Sequence, residues 1–135
     1  MDNIGDVLSW LEVAQRDYDI ALHLSEVFRP LPVENICYNC QQAIEKTLKA
    51  ILIFHVGEYP KTHDIRELHQ LCKELGTDFG LTPGLTRTIT RYATKSRYPD
   101  EMHEFTGEDT ELGLRYAKQV LVRAREEVTK CQPHT

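Results

Sequence analysis

The segment from Val33 to Val56 limits most strongly what this chain can fold into. In its first half, apolar residues recur at spacings of three and four, which places them on one face of a helix. These residues are Cys37, Cys40, Ala43, Ile44, Leu48 and Ile51. The second half, Ala50 to Phe54, is apolar on every side. A helix of that kind lies at the centre of a fold or is covered by a partner, so it needs other elements around it.

Four further segments have helical periodicity, and no strand-like alternation persists for more than a few residues. Pro30 and Pro32 end the first helix, and Gly57 and Gly76 suit the ends of the second and third. Because short connections favour antiparallel neighbours, we expect an all-α, up-and-down bundle of about five helices. It forms a single domain over residues 1–135, with a loose tail at 130–135. Besides the central helix, the predicted spans are Asp6–Phe28, Asp64–Leu75, Thr82–Ser96 and Thr106–Lys130.

Three helix starts carry recognisable capping residues. Thr82 precedes Pro83, a capping residue followed by a first-turn proline. Asp64 followed by Glu67 is a box-like N-terminal cap of the third helix, and Thr62 is a competing capping residue. His63 precedes this cap and is expected to make a local hydrogen bond. Thr106 is followed three residues later by Asp109.

Composition excludes several classes of protein. The 135 residues are 41% hydrophobic and 27% charged, which is typical of a globular chain and not of a disordered one. The apolar run Ala50–Phe54 is far shorter than the roughly 20 residues that span a bilayer, so no membrane association is expected. The N-terminal residues are acidic where a secretory signal would be basic, which favours a cytoplasmic protein.

The cysteines and histidines do not form a metal or redox motif. Cys37 and Cys40 form a C-x-x-C, but Cys72 and Cys131 are isolated, so a four-ligand zinc site has no second pair. The pair also falls on the apolar face of a helix, which favours two buried thiols. No phosphate-cradling glycine motif is present. We therefore expect neither metal nor cofactor.

Charge is distributed unevenly in the last third of the chain. Arg87, Arg91 and Lys95 are spaced by four and share a ridge of the fourth helix, and Arg97 follows. Such a ridge suits phosphate binding, although a solvated helix face is the alternative. Six acidic residues come next and could neutralise the ridge: Asp100, Glu101, Glu104, Glu108, Asp109 and Glu111.

The run from Gln41 to Ala50 is the most specific stretch of the sequence. Gln41 falls within the apolar stripe, so its amide is predicted to be buried and to need hydrogen-bond partners, which suggests a polar contact between helices. Glu45 and Lys49 are spaced to form an i,i+4 ion pair in the favourable order.

This run, with several other elements in the same order along nearly the whole chain, resembles the HEPN family (higher eukaryotes and prokaryotes nucleotide-binding domain). The matching elements are Ala14-x-x-Asp17 with Ala21, then Gln41–Ala50, Gly57, Pro60–Ile65 with Leu68, and Arg97-Tyr98-Pro99-Asp100, which is similar to the R-Y-P element of one branch.

The resemblance implies a bundle of about five helices, usually a homodimer, that binds nucleotide or RNA in a positively charged groove. Many small prokaryotic members act with a minimal nucleotidyltransferase as a toxin–antitoxin-like pair. The candidate nucleotide- or RNA-binding residues are then Arg87, Arg91, Lys95, Arg97 and Tyr98.

Some HEPN members are metal-independent endoribonucleases with an R-x(4–6)-H motif, which Arg97 and His103 match here. In such a reaction His103 takes the proton of the 2′-hydroxyl and Arg97 stabilises the negatively charged phosphorane. Three hypotheses follow from the sequence: a non-catalytic binding module, an endoribonuclease, and a dimeric interaction scaffold without catalysis.

Overall fold

In a computed structural model that describes residues 3–93 and 105–131, the chain forms five helices and no strand within those ranges. The helices are α1 (Ile4–Val27), α2 (Val33–Val56), α3 (Ile65–Glu74), α4 (Pro83–Arg91) and α5 (Gly107–Cys131). The predicted all-α bundle of about five helices is confirmed. Helix α5 ends at Cys131, one residue beyond the end predicted from the sequence, and residues 132–135 of the predicted tail lie outside the described ranges.

Helix α2 is the centre of the bundle and packs against each of the other four helices. The apolar run from Ala50 to Ile53 is buried by the chain itself, with no residue more than 5% exposed. The last residue of the predicted run, Phe54, is half-buried, so of the two alternatives that the sequence left open, cover by the chain itself accounts for Ala50–Ile53. Gly57 ends the helix in the left-handed region (φ 80°), and its backbone N–H donates to the Ile53 carbonyl.

The contact between α1 and α2 involves several of the residues that carried the family resemblance. Ala14 and Ala21 are fully buried, which lets the two helices approach closely. Between these alanines, Asp17 pairs with Lys46 of α2, with Oδ2 and Nζ separated by 2.8 Å. The motif at these positions is thus explained by helix packing.

Residues 57–64 run back along α2, and this return determines where α3 lies. Contacts join Glu45 to His63 and Leu48 to Cys72, so α3 follows the same direction as α2. The return spans about 18 Å of helix, which seven or eight extended residues can cover. Strict alternation of helix direction is therefore interrupted between α2 and α3.

Helix α4 is shorter than predicted. It ends at Arg91, whereas the sequence prediction ran to Ser96. The backbone N–H groups of Tyr92 and Ala93 bond to carbonyls three residues earlier, which tightens the chain into a turn. Residues 94–96 lie outside the described ranges.

Candidate functional site

The basic ridge predicted on the fourth helix is partly described. Arg87 and Arg91 both lie on the exposed side of α4, one helical turn apart. The opposite side buries Thr86 and Ile89 against the rest of the bundle. The other predicted binding and catalytic residues, Lys95, Arg97, Tyr98 and His103, lie outside the described residues.

A cap fixes the start of α4, and a contact with the start of α3 fixes its last turn. The side-chain oxygen of Thr82 accepts a hydrogen bond from the Leu85 backbone N–H at 3.2 Å, and Pro83 occupies the first turn. The hydroxyl of Thr90 accepts from the Ile65 backbone N–H at 3.0 Å. The orientation of the arginine ridge is thereby set from the core side of α4.

Tyr92 anchors the other end of the ridge. Its side chain is 1% exposed, packs edge-on against Phe105 with 5.0 Å between ring centroids, and donates from its hydroxyl to Asp109 Oδ1 at 2.7 Å. Burial raises the pKa of Tyr92, and the hydrogen bond to the Asp109 carboxylate adds to the effect. The neighbouring Arg91 guanidinium lies 6.0 Å from the Phe105 ring centroid, within cation–π range.

Asp109 also caps the start of α5, which begins at Gly107, near the Thr106 position that the sequence predicted. The Thr106 backbone N–H donates to Asp109 Oδ2 at 2.8 Å, which is the reciprocal half of a capping box. The two oxygens of this carboxylate therefore have structural partners. Asp109, one of the six acidic residues that could neutralise the basic ridge, bonds instead to Tyr92 and Thr106.

A second polar cluster lies within α2, where the sequence predicted a buried amide. Gln41 is 0% exposed, and its amide nitrogen donates to Glu45 Oε1 at 2.8 Å. Lys49 donates to Glu45 Oε2 at 2.9 Å, which confirms the predicted i,i+4 pair. The amide oxygen of Gln41 accepts from Gln42 at 2.7 Å. Both hydrogen bonds of the Gln41 side-chain amide are to residues of α2, whereas the sequence suggested a contact between helices.

His63 makes a longer-range contact than the local one predicted. Its Nδ1 lies 3.0 Å from Glu45 Oε2, although its side chain is 80% exposed. Burial alone would raise the pKa of Glu45, but hydrogen bonds from Lys49, Gln41 and His63 lower it below its ordinary value. The buried carboxylate is therefore held ionised by three partners.

The cysteines of the C-x-x-C are buried thiols, as predicted. Cys37 and Cys40 are 0% exposed, and burial raises the pKa of both, that of Cys40 to about 12. Thiols with such pKa values are poor nucleophiles and poor metal ligands. Among residues 3–93 and 105–131, no group of three or more His, Cys, Asp or Glu side chains could hold a metal ion. None of the helices in those ranges is long and apolar enough to cross a membrane.

The HEPN domain family matches residues 7–127, so this chain belongs to the HEPN family. A crystal structure of TT1696 from Thermus thermophilus is similar in fold, with a TM-score of 0.71 and 23% sequence identity over 94% of this chain and 99% of that one. ST0689, described as an archaeal HEPN homologue, has a TM-score of 0.63 and 20% identity over 90% of this chain and 97% of its own. No curated protein matches the sequence.

Proposed function

We propose that this HEPN protein binds the phosphate groups of a nucleotide or RNA along α4. The observation that supports the proposal is the placement of Arg87 and Arg91 on one exposed ridge, held at both ends by Thr82 and Tyr92. Two arginines on one face of an anchored helix suit phosphate oxygens, because each guanidinium offers planar, charge-assisted donors. Lys95, Arg97 and Tyr98 extend the proposed site along the sequence.

The proposed site works in a homodimer that partners a nucleotidyltransferase, as a toxin–antitoxin-like pair. Membership of the HEPN family supports this part of the proposal. Sedimentation of the protein alone, then mixed with a candidate nucleotidyltransferase, tests it. A monomer that forms no complex argues against both associations.

Titration of labelled single-stranded RNA and of ATP tests the binding site. The variant Arg87→Ala/Arg91→Ala is compared with Lys118→Ala/Arg125→Ala, which removes two exposed charges from α5 and leaves the same net charge. We expect the α4 variant to bind at least about tenfold more weakly and the α5 variant to bind like the wild type. Equal binding by all three proteins overturns the assignment to α4.

The second candidate function is a metal-independent endoribonuclease, favoured by the spacing of Arg97 and His103. Its test is incubation of RNA with the pure protein in EDTA, alongside His103→Ala. Cleavage by the wild type that the substitution abolishes supports catalysis. If the RNA stays intact but binds along α4, the function is that of a non-catalytic binding module. If the RNA is neither cleaved nor bound, the dimeric scaffold is the remaining function.

A further inference from the structure

A groove of about 480 Å³ opens between the C-terminal end of α2 and the side of α3, away from the arginines of α4. Its apolar lining comes from both helices and from the connection between them: Leu52, Val56, Tyr59, Pro60, Leu71 and Leu75. Val56 is 54% exposed and Leu75 is 36% exposed, so the groove presents apolar side chains to solvent.

The walls of the groove are fixed by the core. Leu52 is 2% exposed and belongs to the buried cluster under the groove. Tyr59 is held by an edge-on contact with Trp10 at 5.2 Å and by the Lys49 ammonium 5.2 Å from its ring centroid. An apolar groove with such supported walls is preformed, so a partner entering it need not first reorganise the chain.

The charged residues that line this groove are acidic. Glu58 lies on one side and Glu74 on the other, and neither Lys nor Arg is among the lining residues. Glu74 accepts a hydrogen bond from Gln70, a neutral partner that leaves the charge in place. A neighbouring depression shares Leu71 and extends the surface along α3 to Glu67, with Arg66 as its basic member.

The positions of these residues on α3 match the length and period of a helix. Glu67, Leu71 and Glu74 are spaced by four and three, so they share a face of α3. With ten residues, α3 is about 15 Å long, which is about three turns. If a helix of similar length lies along α3, its apolar residues cover Leu71 and Leu75. Its flanks then lie beside the carboxylates of Glu67 and Glu74.

We propose that this groove docks a basic amphipathic helix of another protein. Apolar side chains spaced i, i+4 and i+7 enter the groove, and lysine or arginine on the flanks pairs with Glu58, Glu67 and Glu74. Charge complementarity selects this occupant, because the apolar floor alone would accept any hydrophobic segment.

A second copy of this chain is a poorer occupant. The exposed apolar stripe of α1 consists of Val13, Ile20 and Val27. The arginine that shares its face, Arg16, already pairs with Glu12 of the same helix, so this face offers no unpaired arginine or lysine to the acidic rim of the groove. The apolar side of α4 is already buried in its own bundle.

The test uses two fluorescein-labelled synthetic helical peptides of about 14 residues, a length of about four turns. Both carry leucines at i, i+4 and i+7, and they differ only in having lysine or glutamate on the flanks. We expect saturable binding of the lysine peptide, at least about tenfold tighter than that of the glutamate peptide. Amide chemical-shift changes should concentrate at Val56, Tyr59, Leu71 and Leu75.

Two pairs of variants locate the interaction. Glu58→Lys/Glu74→Lys should weaken the lysine peptide and improve the glutamate peptide, whereas Glu111→Lys/Glu126→Lys, with the same charge change on α5, should change neither. Leu75→Asp should weaken binding and Val122→Asp, at a comparably exposed apolar position, should not. Thermal melts establish that each variant is folded.

Several results would overturn the proposal. These are the absence of saturable binding, equal binding of the two peptides, or binding that Glu58→Lys/Glu74→Lys does not alter. Self-association of the wild-type protein that Leu75→Asp abolishes would assign the groove to a second copy instead. Because the RNA titration depends on Arg87 and Arg91, its failure and the failure of peptide docking are distinguishable.

Discussion

Tyr92 and Asp109 join the end of α4 to the start of α5 through a hydrogen bond of 2.7 Å. The same carboxylate caps α5 by accepting from the Thr106 backbone N–H. One acidic side chain therefore both caps the start of α5 and bonds to the residue that follows the basic helix α4. The position of Arg91, next to Tyr92 in the chain, depends on this bond.

Removal of the Tyr92 hydroxyl should destabilise the bundle. In Tyr92→Phe the Asp109 carboxylate loses a charge-assisted donor, and we expect a loss of about 1–3 kcal/mol in the free energy of unfolding. Urea denaturation measures it. Tyr116→Phe, at a half-buried tyrosine on α5, is the matched control and should change little. A Tyr92→Phe protein as stable as the wild type would show that the bond does not hold α4.

A side chain at Gly113 should force α5 away from α2. A Cβ added there would lie 3.0 Å from Cys40 Cβ and 3.2 Å from Cys40 Sγ. Overpacking costs about 1–3 kcal/mol. Replacing glycine by alanine in a helix gains about 1 kcal/mol, which is too little to offset that cost over most of its range. Gly113→Ala should therefore be less stable in urea denaturation, while Gly107→Ala, with nothing within 4 Å, should not be. Equal stability of both variants contradicts the close approach of the two helices.

Neutralising Glu45 should be costly at neutral pH, since Lys49 would keep a buried charge without a carboxylate. Both side chains are less than 10% exposed. We expect Glu45→Gln to lose about 3 kcal/mol of unfolding free energy at pH 7. Glu12→Gln, which removes half of an exposed pair with Arg16, should have little effect. Similar small losses in both variants would argue that the buried cluster contributes nothing to stability.

The same cluster predicts a dependence of stability on acid. Because the pKa of Glu45 is lower in the folded protein than its ordinary value, the folded state binds fewer protons. The stabilisation is complete above about pH 4.3, the ordinary pKa of a glutamate, and is lost as the pH falls through the folded-state value. Urea denaturation from pH 7 to pH 3 should show the difference between wild type and Glu45→Gln shrinking below about pH 4.3. A constant difference across that range contradicts the prediction.

Features set by local spacing could be predicted from the sequence. The cap at Thr106 and Asp109 and the Glu45–Lys49 pair each depend on residues about one helical turn apart. The burial of Gln41 follows from its place in the apolar stripe of α2. The family resemblance added the order of the helices.

Features set by distant contacts could not be predicted. The contact between His63 and Glu45 requires residues 57–64 to run back along α2, and nothing in their local pattern encodes that path. The hydrogen bond that anchors Tyr92 after the end of α4 joins it to Asp109, which is 17 residues away in the chain. The groove beside α3 likewise joins residues of two helices and the segment between them.

The salt dependence of RNA binding tests the central claim most directly, because phosphate contacts release counterions. The logarithm of the binding constant for a single-stranded RNA should fall linearly with the logarithm of salt concentration, and each lost phosphate contact reduces the magnitude of the slope by about 0.7. We predict that Arg87→Ala/Arg91→Ala lowers the slope by about 1.4 relative to wild type, while Lys118→Ala/Arg125→Ala leaves it unchanged. A slope that is the same in all three proteins would contradict phosphate binding along α4.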